Sequence, residues 1–346
     1  MELRLGFIGF GKVARAFARM WDSRRALLES QYSIQCRATG IATACHGSII
    51  SSQIDLLEAA DLVERGQSLT SIRGAVECAG SSSVIRDCDA DLIFETSPLN
   101  PLDGEPAVTY IRLALERGQS VVTANKGPIA FAYRELAELA KQRGVHFRFE
   151  GTVMDGAPVF NLVESCLPGV GVTGFSGILN STTNLVLTRM EEGASFDQAI
   201  DEARALGVTE ADFSYDVDGW DAAVKTVALA NVLMNADARP NEVERRGIRD
   251  VSVEELKEAH ASGEAVRLVS RADMTSSGLT LSVGPERVRL DSALGAARGT
   301  SNVLVLDTDL MGSIAILETD PGVEQTAYAL MSDMLTILRD YKRKRH

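Results

Sequence analysis

The chain has 346 residues, 45% of them hydrophobic, and a formal net charge of −13. That length can supply two globular cores, and the acidity argues against a nucleic-acid or anionic-membrane partner. Five scattered cysteines without a CxxC pair point to reduced thiols and a cytoplasmic setting, and four widely spaced histidines show no metal-ligand pattern. No run of 18 apolar residues occurs and the first residues lead straight into a predicted strand, so neither a membrane span nor a signal peptide is expected.

LRLGFIGFGKVARAFARMW opens with an apolar run, then Gly9-Phe10-Gly11-Lys12-Val13-Ala14, then a helical pattern. This is strand, GxGxxA turn, helix. Gly9 permits the tight turn, Gly11 lets a pyrophosphate approach the backbone, and Ala14 allows helix and strand to pack closely. Amides at the helix start, around Lys12 and Val13, then face the phosphates. The second strand is expected near Ile34–Thr43. Its end reads Ala42-Thr43-Ala44-Cys45-His46 and carries neither the acidic residue that takes a ribose hydroxyl nor an arginine for a 2′-phosphate. The choice between NAD and NADP stays open.

Residues 53–66 and 69–88 read as helix and connecting segments around the sheet. ADLIFETSP is the next buried strand, and its end places Thr96 and Ser97 for cofactor contact. GEPAVTYIRLALERG follows as a helix, and QSVVTANKGPIA as a strand with Lys126 at its end. After the helix FAYRELAELAKQRG the βαβ rhythm breaks near Phe149, and Gly151 to Pro158 is a glycine-rich loop. VGVTGFSGILNSTTNLVLTRM predicts a strand, a turn at Asn180–Asn184 and a helix. The fold class expected is α/β: a Rossmann-type nucleotide-binding domain over 1–148, completed by a C-terminal helix in 320–346, and an α+β catalytic and dimerisation domain over 149–319.

LGVTEADFSYDVDGWDAAVK, residues 206–225, sets Glu210, Asp212, Asp216, Asp218 and Asp221 against one cation, Lys225. Gly219 reads as a turn before a helix, which puts Asp221 and Lys225 on one helix face. A lysine at an acidic pocket can move a proton, and surplus carboxylates can hold a cationic group such as a substrate ammonium. Read without that context, the pair is only a solvated i,i+4 contact, worth about 0.3–0.5 kcal/mol.

Four segments in this order, VVTANKGP, EGTVMDGAP, GILNSTTN and EADFSYDVDGWDAAVK, resemble homoserine dehydrogenases, with the likeness running from the first glycine turn to the last helix. The chain looks like the short form of that family. The resemblance implies a reversible, nicotinamide-dependent interconversion of L-homoserine and L-aspartate 4-semialdehyde by a homodimer. It implies that Lys225 is the proton donor and acceptor, that Lys126 touches cofactor and substrate, and that Thr182, Glu210, Asp216 and Asp221 bind substrate. Glu150 with the carbonyls of Val153, Asp155 and Ala157 falls at the family's monovalent-cation site, usually sodium. Gly322 falls in the segment that approaches the cofactor. Two departures stand out: Ser181 replaces the usual glycine of NGTTN, and Glu318-Thr319-Asp320-Pro321-Gly322 replaces a glycine-rich loop. Two other readings compete. One is a related oxidoreductase acting on another small amino-acid aldehyde or alcohol. The other is a non-catalytic nucleotide-binding paralogue, and the retention of both lysines with the carboxylates argues against it.

Overall fold

The computed structural model describes residues 2–209, 212–276 and 278–343. The chain divides into two compact units, Met1–Gly156 with Gly322–His346, and Ala157–Pro321. The first unit therefore extends through the glycine-rich loop to Gly156 instead of ending at 148.

In chain order the first unit holds β1 (Glu2–Ile8), α1 (Lys12–Tyr32), β2 (Gln35–Ala42), β3 (Ser48–Ile54), α2 (Leu56–Glu64) and β4 (Val76–Glu77). Then come α3 (Ser81–Asp87), β5 (Leu92–Glu95), α4 (Ala107–Glu116), β6 (Ser120–Thr123), α5 (Lys126–Arg143) and β7 (Phe147–Arg148). The sheet order is β4-β3-β2-β1-β5-β6-β7. β2, β1, β5, β6 and β7 run parallel. Strands buried on both faces need continuous apolar sequence; Leu3, Leu5, Phe7 and Ile8 of β1 and Leu92 and Phe94 of β5 are fully buried.

β3 and β4 correct the expected pattern. They pair antiparallel at the β2 edge, where only helix and connecting segments, at 53–66 and 69–88, were expected. A short hairpin makes this possible: Thr43 Oγ1 donates to the Gly47 carbonyl at 2.8 Å and accepts the His46 N–H at 2.8 Å. A polar stretch such as SIISSQI has little apolar alternation to announce a strand, so tertiary pairing decides it.

The second unit holds α6 (Val159–Cys166), β8 (Val172–Ile178), α7 (Ser181–Glu191), α8 (Phe196–Ala205), α9 (Ser214–Val217), α10 (Trp220–Leu233) and β9 (Glu244–Arg245). It continues with α11 (Val253–Ala261), β10 (Glu264–Thr275), β11 (Gly278–Arg289), α12 (Ala293–Ala296), β12 (Asn302–Thr308) and β13 (Gly312–Glu318). Its sheet runs β13-β12-β8-β10-β11-β9, and α7, α10 and α11 pack against β10. The buried Arg267 of β10 grips Glu191 at the end of α7, with Nη1–Oε1 at 2.6 Å and Nη2–Oε2 at 3.3 Å. Removing one partner of such a pair costs about 3–5 kcal/mol, because the other charge is left buried. The far end of α7 carries Thr182, so this clamp helps to fix the site.

α13 (Val323–Arg343) returns to the first unit and packs along α1. Its buried stripe is Ala327, Leu330, Met331, Met334, Ile337 and Leu338, spaced three and four apart as an amphipathic helix requires. Near its end the Tyr341 hydroxyl hydrogen-bonds the Ser120 hydroxyl at 2.8 Å.

Candidate active site

At the ends of β1, β5 and β6 the first unit builds a glycine turn against two loops. Gly9 has φ of +85°. A Cβ there would lie 2.6 Å from the Thr96 carbonyl carbon and oxygen and 2.7 Å from the Ser97 nitrogen. Only glycine fits, because the backbone conformation and the space both exclude a side chain. Thr96 seals the contact by donating its hydroxyl to the Gly9 carbonyl at 2.8 Å and its N–H to Ile8 at 2.8 Å.

Gly11 is different. It is exposed, and a Cβ on it would meet nothing within 4 Å. The fold does not need glycine there, but an approaching phosphate does. Gly11 is the N-cap of α1, with no side-chain cap and no acidic residue in the first turn. Lys12 is exposed, Val13 is half-buried and Ala14 is fully buried under the sheet. Helix amides left open in this way suit an anion, so the turn fits a dinucleotide pyrophosphate.

Glu95, the last residue of β5, is fully buried. Burial pushes its carboxyl above the usual range, while hydrogen bonds from Ser97 and Thr123 pull it back down. One oxygen accepts the Ser97 N–H at 2.9 Å and the Ser97 hydroxyl; the other accepts the Thr123 hydroxyl at 2.8 Å. Thr123 Oγ1 in turn accepts the Asn125 N–H at 2.9 Å. Asn125 donates Nδ2 to the Ser97 carbonyl at 3.1 Å and accepts the Gly127 N–H at 3.0 Å, which caps α5. Lys126 is the first residue of that helix and is half-buried. Sequence reasoning placed Thr96, Ser97 and Lys126 at strand ends but gave no role to Glu95, Thr123 or Asn125. A carboxylate closing an apolar strand, LIFE, was the available signal.

Further along the first unit, Glu150 is buried and its N–H donates to Asp333 Oδ2 of α13 at 2.8 Å. Val153 is buried as well. Asp155 sits at φ of +37° and accepts the Thr326 hydroxyl at 2.7 Å, so its side chain anchors the start of α13. Gly322 lies just ahead of that helix and accepts the Thr326 N–H at 3.3 Å. Ala157, the first residue of the second unit, is buried at 9% exposure. Among the described residues no group of three or more His, Cys, Asp or Glu side chains is placed to hold a metal.

In the second unit the expected turn at 180–184 is the start of α7. Asn180 is its N-cap and accepts the Thr183 N–H at 2.8 Å. Asn, Ser and Thr favour turns and helix caps alike, and the contacts of the Asn180 amide decide between them. Its Nδ2 donates to Asp216 Oδ1 at 2.7 Å and to Asp221 Oδ2 at 3.0 Å, so one amide joins two expected substrate residues. Asp216 also accepts the Thr209 hydroxyl at 3.3 Å. Thr182, in the first turn of α7, is buried and donates to the Val208 carbonyl at 3.3 Å. Glu210 lies outside the described residues. Ser181 forms a hydrogen-bonded pair with Asn302 at 3.2 Å.

Lys225 is not a solvated surface lysine. Its side chain is 13% exposed and that of Asp221 is 9% exposed. Nζ donates to the Leu179 carbonyl at 2.6 Å and lies 3.5 Å from Asp221 Oδ2. An ammonium has three donors, so among the described residues a third N–H remains for a substrate oxygen. The acidic stretch also proves less uniform than its composition suggests. Asp218 is neutralised by Arg249, and its carbonyl accepts Arg245, which stacks 3.8 Å over the Trp220 ring. Asp212 is exposed and caps Ser214 at 3.0 Å. Of the described carboxylates in the stretch, Asp216 and Asp221 are the two that converge on Asn180.

A Rossmann-type unit with an open glycine turn, and a second unit holding a buried lysine beside paired aspartates, define an oxidoreductase of the nicotinamide-dependent class. The sequence model for homoserine dehydrogenase matches residues 158–335. An NAD(+)-dependent homoserine dehydrogenase of Pseudomonas canavaninivorans is 36% identical over 345 residues, covering 99% of this chain and 98% of that one. A putative homoserine dehydrogenase of Archaeoglobus fulgidus superposes with a TM-score of 0.86 at 33% identity, over 97% of this chain and 99% of that one. A hyperthermophilic archaeal homoserine dehydrogenase in complex with NADPH superposes with a TM-score of 0.83 at 29% identity, over 98% of each chain. The chain belongs to the homoserine dehydrogenase family. Among the described residues no helix is long and apolar enough to cross a membrane.

Proposed function

We propose that this protein interconverts L-homoserine and L-aspartate 4-semialdehyde, using NAD or NADP, as a cytoplasmic homodimer. The observation that carries the reading is the buried Lys225 ammonium, held by the Leu179 carbonyl beside Asp221. Bound nicotinamide supplies or accepts the hydride. In the reducing direction the aldehyde oxygen gathers negative charge, and Lys225 stabilises that charge and donates a proton to the oxygen. In the oxidising direction the same amine takes the proton from the homoserine hydroxyl. Asp216, Asp221 and Glu210 hold the substrate ammonium, and Thr182 helps to seat it. Lys126 contacts cofactor and substrate, while Gly9, Gly11, Lys12, Val13, Ala14, Thr96, Ser97 and Gly322 shape the cofactor site.

Use of either cofactor is supported by the neutral loop after β2, where no carboxylate or arginine stands at 42–46. One relative is named for NAD(+) and another was solved with NADPH. Sodium, taken from the family resemblance, suits a hard-oxygen set of the Glu150 carboxylate and the carbonyls of Val153, Asp155 and Ala157, where its role is structural. The test is absorbance of the reduced nicotinamide with homoserine and with aspartate semialdehyde, NAD and NADP in parallel. Turnover of another amino alcohol with none of homoserine would overturn the substrate assignment.

A further inference from the structure

Asn180 carries two sets of contacts that ask for opposite chemistry. It is the buried N-cap of α7. On one side its Oδ1 accepts the Thr183 N–H at 2.8 Å and lies 2.9 Å from the Thr183 hydroxyl. On the other its Nδ2 donates to Asp216 Oδ1 at 2.7 Å and to Asp221 Oδ2 at 3.0 Å. These partners fix which way the amide faces, because a backbone N–H needs an acceptor and a carboxylate needs a donor. Capping alone does not call for asparagine, since serine, threonine and aspartate accept the same N–H. Serine and threonine carry one donor on a shorter arm and an ionised aspartate carries none. Asparagine carries two, one N–H for each carboxylate.

The backbone supplies the next link. Leu179, the residue before Asn180, gives the carbonyl that accepts Lys225 Nζ at 2.6 Å. Asp221 Oδ2, the oxygen that Asn180 holds, is also the one 3.5 Å from Nζ. Leu179, Lys225, Asp221 and Asn180 therefore close a ring through one peptide bond, and Asp216 joins it at the amide. Both aspartates have further partners, the Thr209 hydroxyl on Asp216 Oδ2 among them; the Asn180 amide is the one they share. Two carboxylates drawn to one point repel, and more strongly away from bulk water. A neutral double donor offsets that repulsion without bringing another charge that must be desolvated. We propose that Asn180 is a positioning residue for the reaction: its amide sets Asp216 and Asp221 in one frame with Lys225. The groups that anchor the substrate and the group that moves its proton then keep a fixed spacing. The inference rests on the function proposed above.

Two variants separate this role from capping and from packing. Asn180→Ser keeps a cap but is smaller and cannot bridge the aspartates. Asn180→Asp keeps the cap and the shape, but sets a third carboxylate against the other two. Steady-state kinetics are run well below the melting temperature of each variant, so that the folded fraction does not enter. Asn180→Ser should raise KM for homoserine about tenfold, the size of a lost hydrogen bond to a charged group. Cofactor KM should stay within about twofold. Asn180→Asp should lose more kcat/KM for homoserine than Asn180→Ser does, because it replaces the donor with a charge of the wrong sign. A pure cap predicts wild-type kinetics from both variants, and a pure packing role predicts harm from serine and none from the isosteric aspartate. Either outcome overturns the role of Asn180. So does a rise in cofactor KM as large as that for homoserine. If Asn180→Asp does not fold, Asn180→Ser decides: an unchanged homoserine KM overturns the proposal. Failure of the wild-type enzyme to oxidise homoserine overturns the functional reading, and this inference falls with it.

Discussion

The buried carboxylate at Glu95 and the aspartate pair at Asp216 and Asp221 are solved in opposite ways. Glu95 is fully buried, and both of its oxygens are engaged by Ser97 and Thr123, its immediate neighbours on two strand ends. Its work is internal: it ties the loop at 96–97 to the start of α5. The aspartates share one amide from Asn180, Asp216 also accepts the Thr209 hydroxyl, and the buried Lys225 ammonium lies 3.5 Å from Asp221. Among the described residues that cluster keeps a donor of the Lys225 ammonium in reserve. A fully satisfied polar network makes the surrounding backbone rigid, and a partly satisfied one is a place for a ligand. The contrast separates residues that position a site from residues that bind in it.

The largest effect should come from the reserve side. Lys225→Ala removes the proposed proton carrier and should lower kcat by ~10²–10⁴-fold. Steady-state rates in both directions measure this, with dinucleotide titration as a control that should barely change. Near-normal turnover would return Lys225 to a buried structural ion pair and shift the proton-transfer role to Lys126. Asp221→Ala should instead raise KM along with any loss of kcat, because it removes part of the substrate's anchor.

The next break falls within the glycine turn. Gly11→Val adds a side chain where the fold leaves open space, so the protein should melt normally while cofactor KM rises by ~10²-fold or more, about 3 kcal/mol. Gly9→Ala should do the reverse. Its Cβ would meet backbone at 2.6 Å in a left-handed conformation, so melting should fall by ~1–3 kcal/mol equivalent whether or not cofactor is present. If Gly11→Val melts low, the open space above it serves the fold and not the phosphate.

How much of this was legible in the sequence follows the range of the interactions. The glycine turn and the DGWDAAVK helix rest on spacings within a few residues, and periodicity shows such spacings directly. The edge strands β3 and β4 did not show, because a hairpin of serine-rich sequence is decided by its pairing partner. Asn180 looked like a turn because its decisive partners, Asp216 and Asp221, are remote in the chain. Arg249, which neutralises Asp218, is remote in the same way, so five carboxylates read as one pocket. Glu95 was visible as a polar strand end, but Thr123 gives it its meaning, and that contact exists only once β5 and β6 pair.

A smaller effect tests the satisfied side. Burial holds the Glu95 carboxyl above its unfolded value. A raised carboxyl contributes stability that is fully present below the ordinary glutamate range and is lost as pH rises through the folded value. Glu95→Gln removes that titration, so melting temperature against pH should flatten across that window. Gln offers one acceptor oxygen where Glu95 uses two, so Ser97 and Thr123 cannot both be satisfied as before. Cofactor KM should therefore rise by a few-fold, with homoserine KM unchanged at saturating cofactor. A change in homoserine KM alone would place Glu95 with the binding residues and erase the distinction from the aspartates.

The smallest effect concerns cofactor choice, where neither side of the comparison supplies a strong determinant. The loop after β2 spends its Thr43 hydroxyl on its own hairpin, through Gly47 and His46. No residue from Ala42 to His46 carries a carboxylate to repel a 2′-phosphate or a guanidinium to grip it. The expected preference between NAD and NADP is accordingly modest. It should stay below roughly a thousandfold in kcat/KM, or ~4 kcal/mol at ~1.4 kcal/mol per decade. Thr43→Asp should then tilt the ratio toward NAD, because a carboxylate there repels the 2′-phosphate and can take the ribose hydroxyl. It also breaks the hairpin's Thr43–Gly47 bond, so a melt must accompany the kinetics. If the wild-type preference exceeds a thousandfold and Thr43→Asp leaves it unmoved, the determinant lies outside 42–46, and a charged side chain from another element must reach the adenosine ribose.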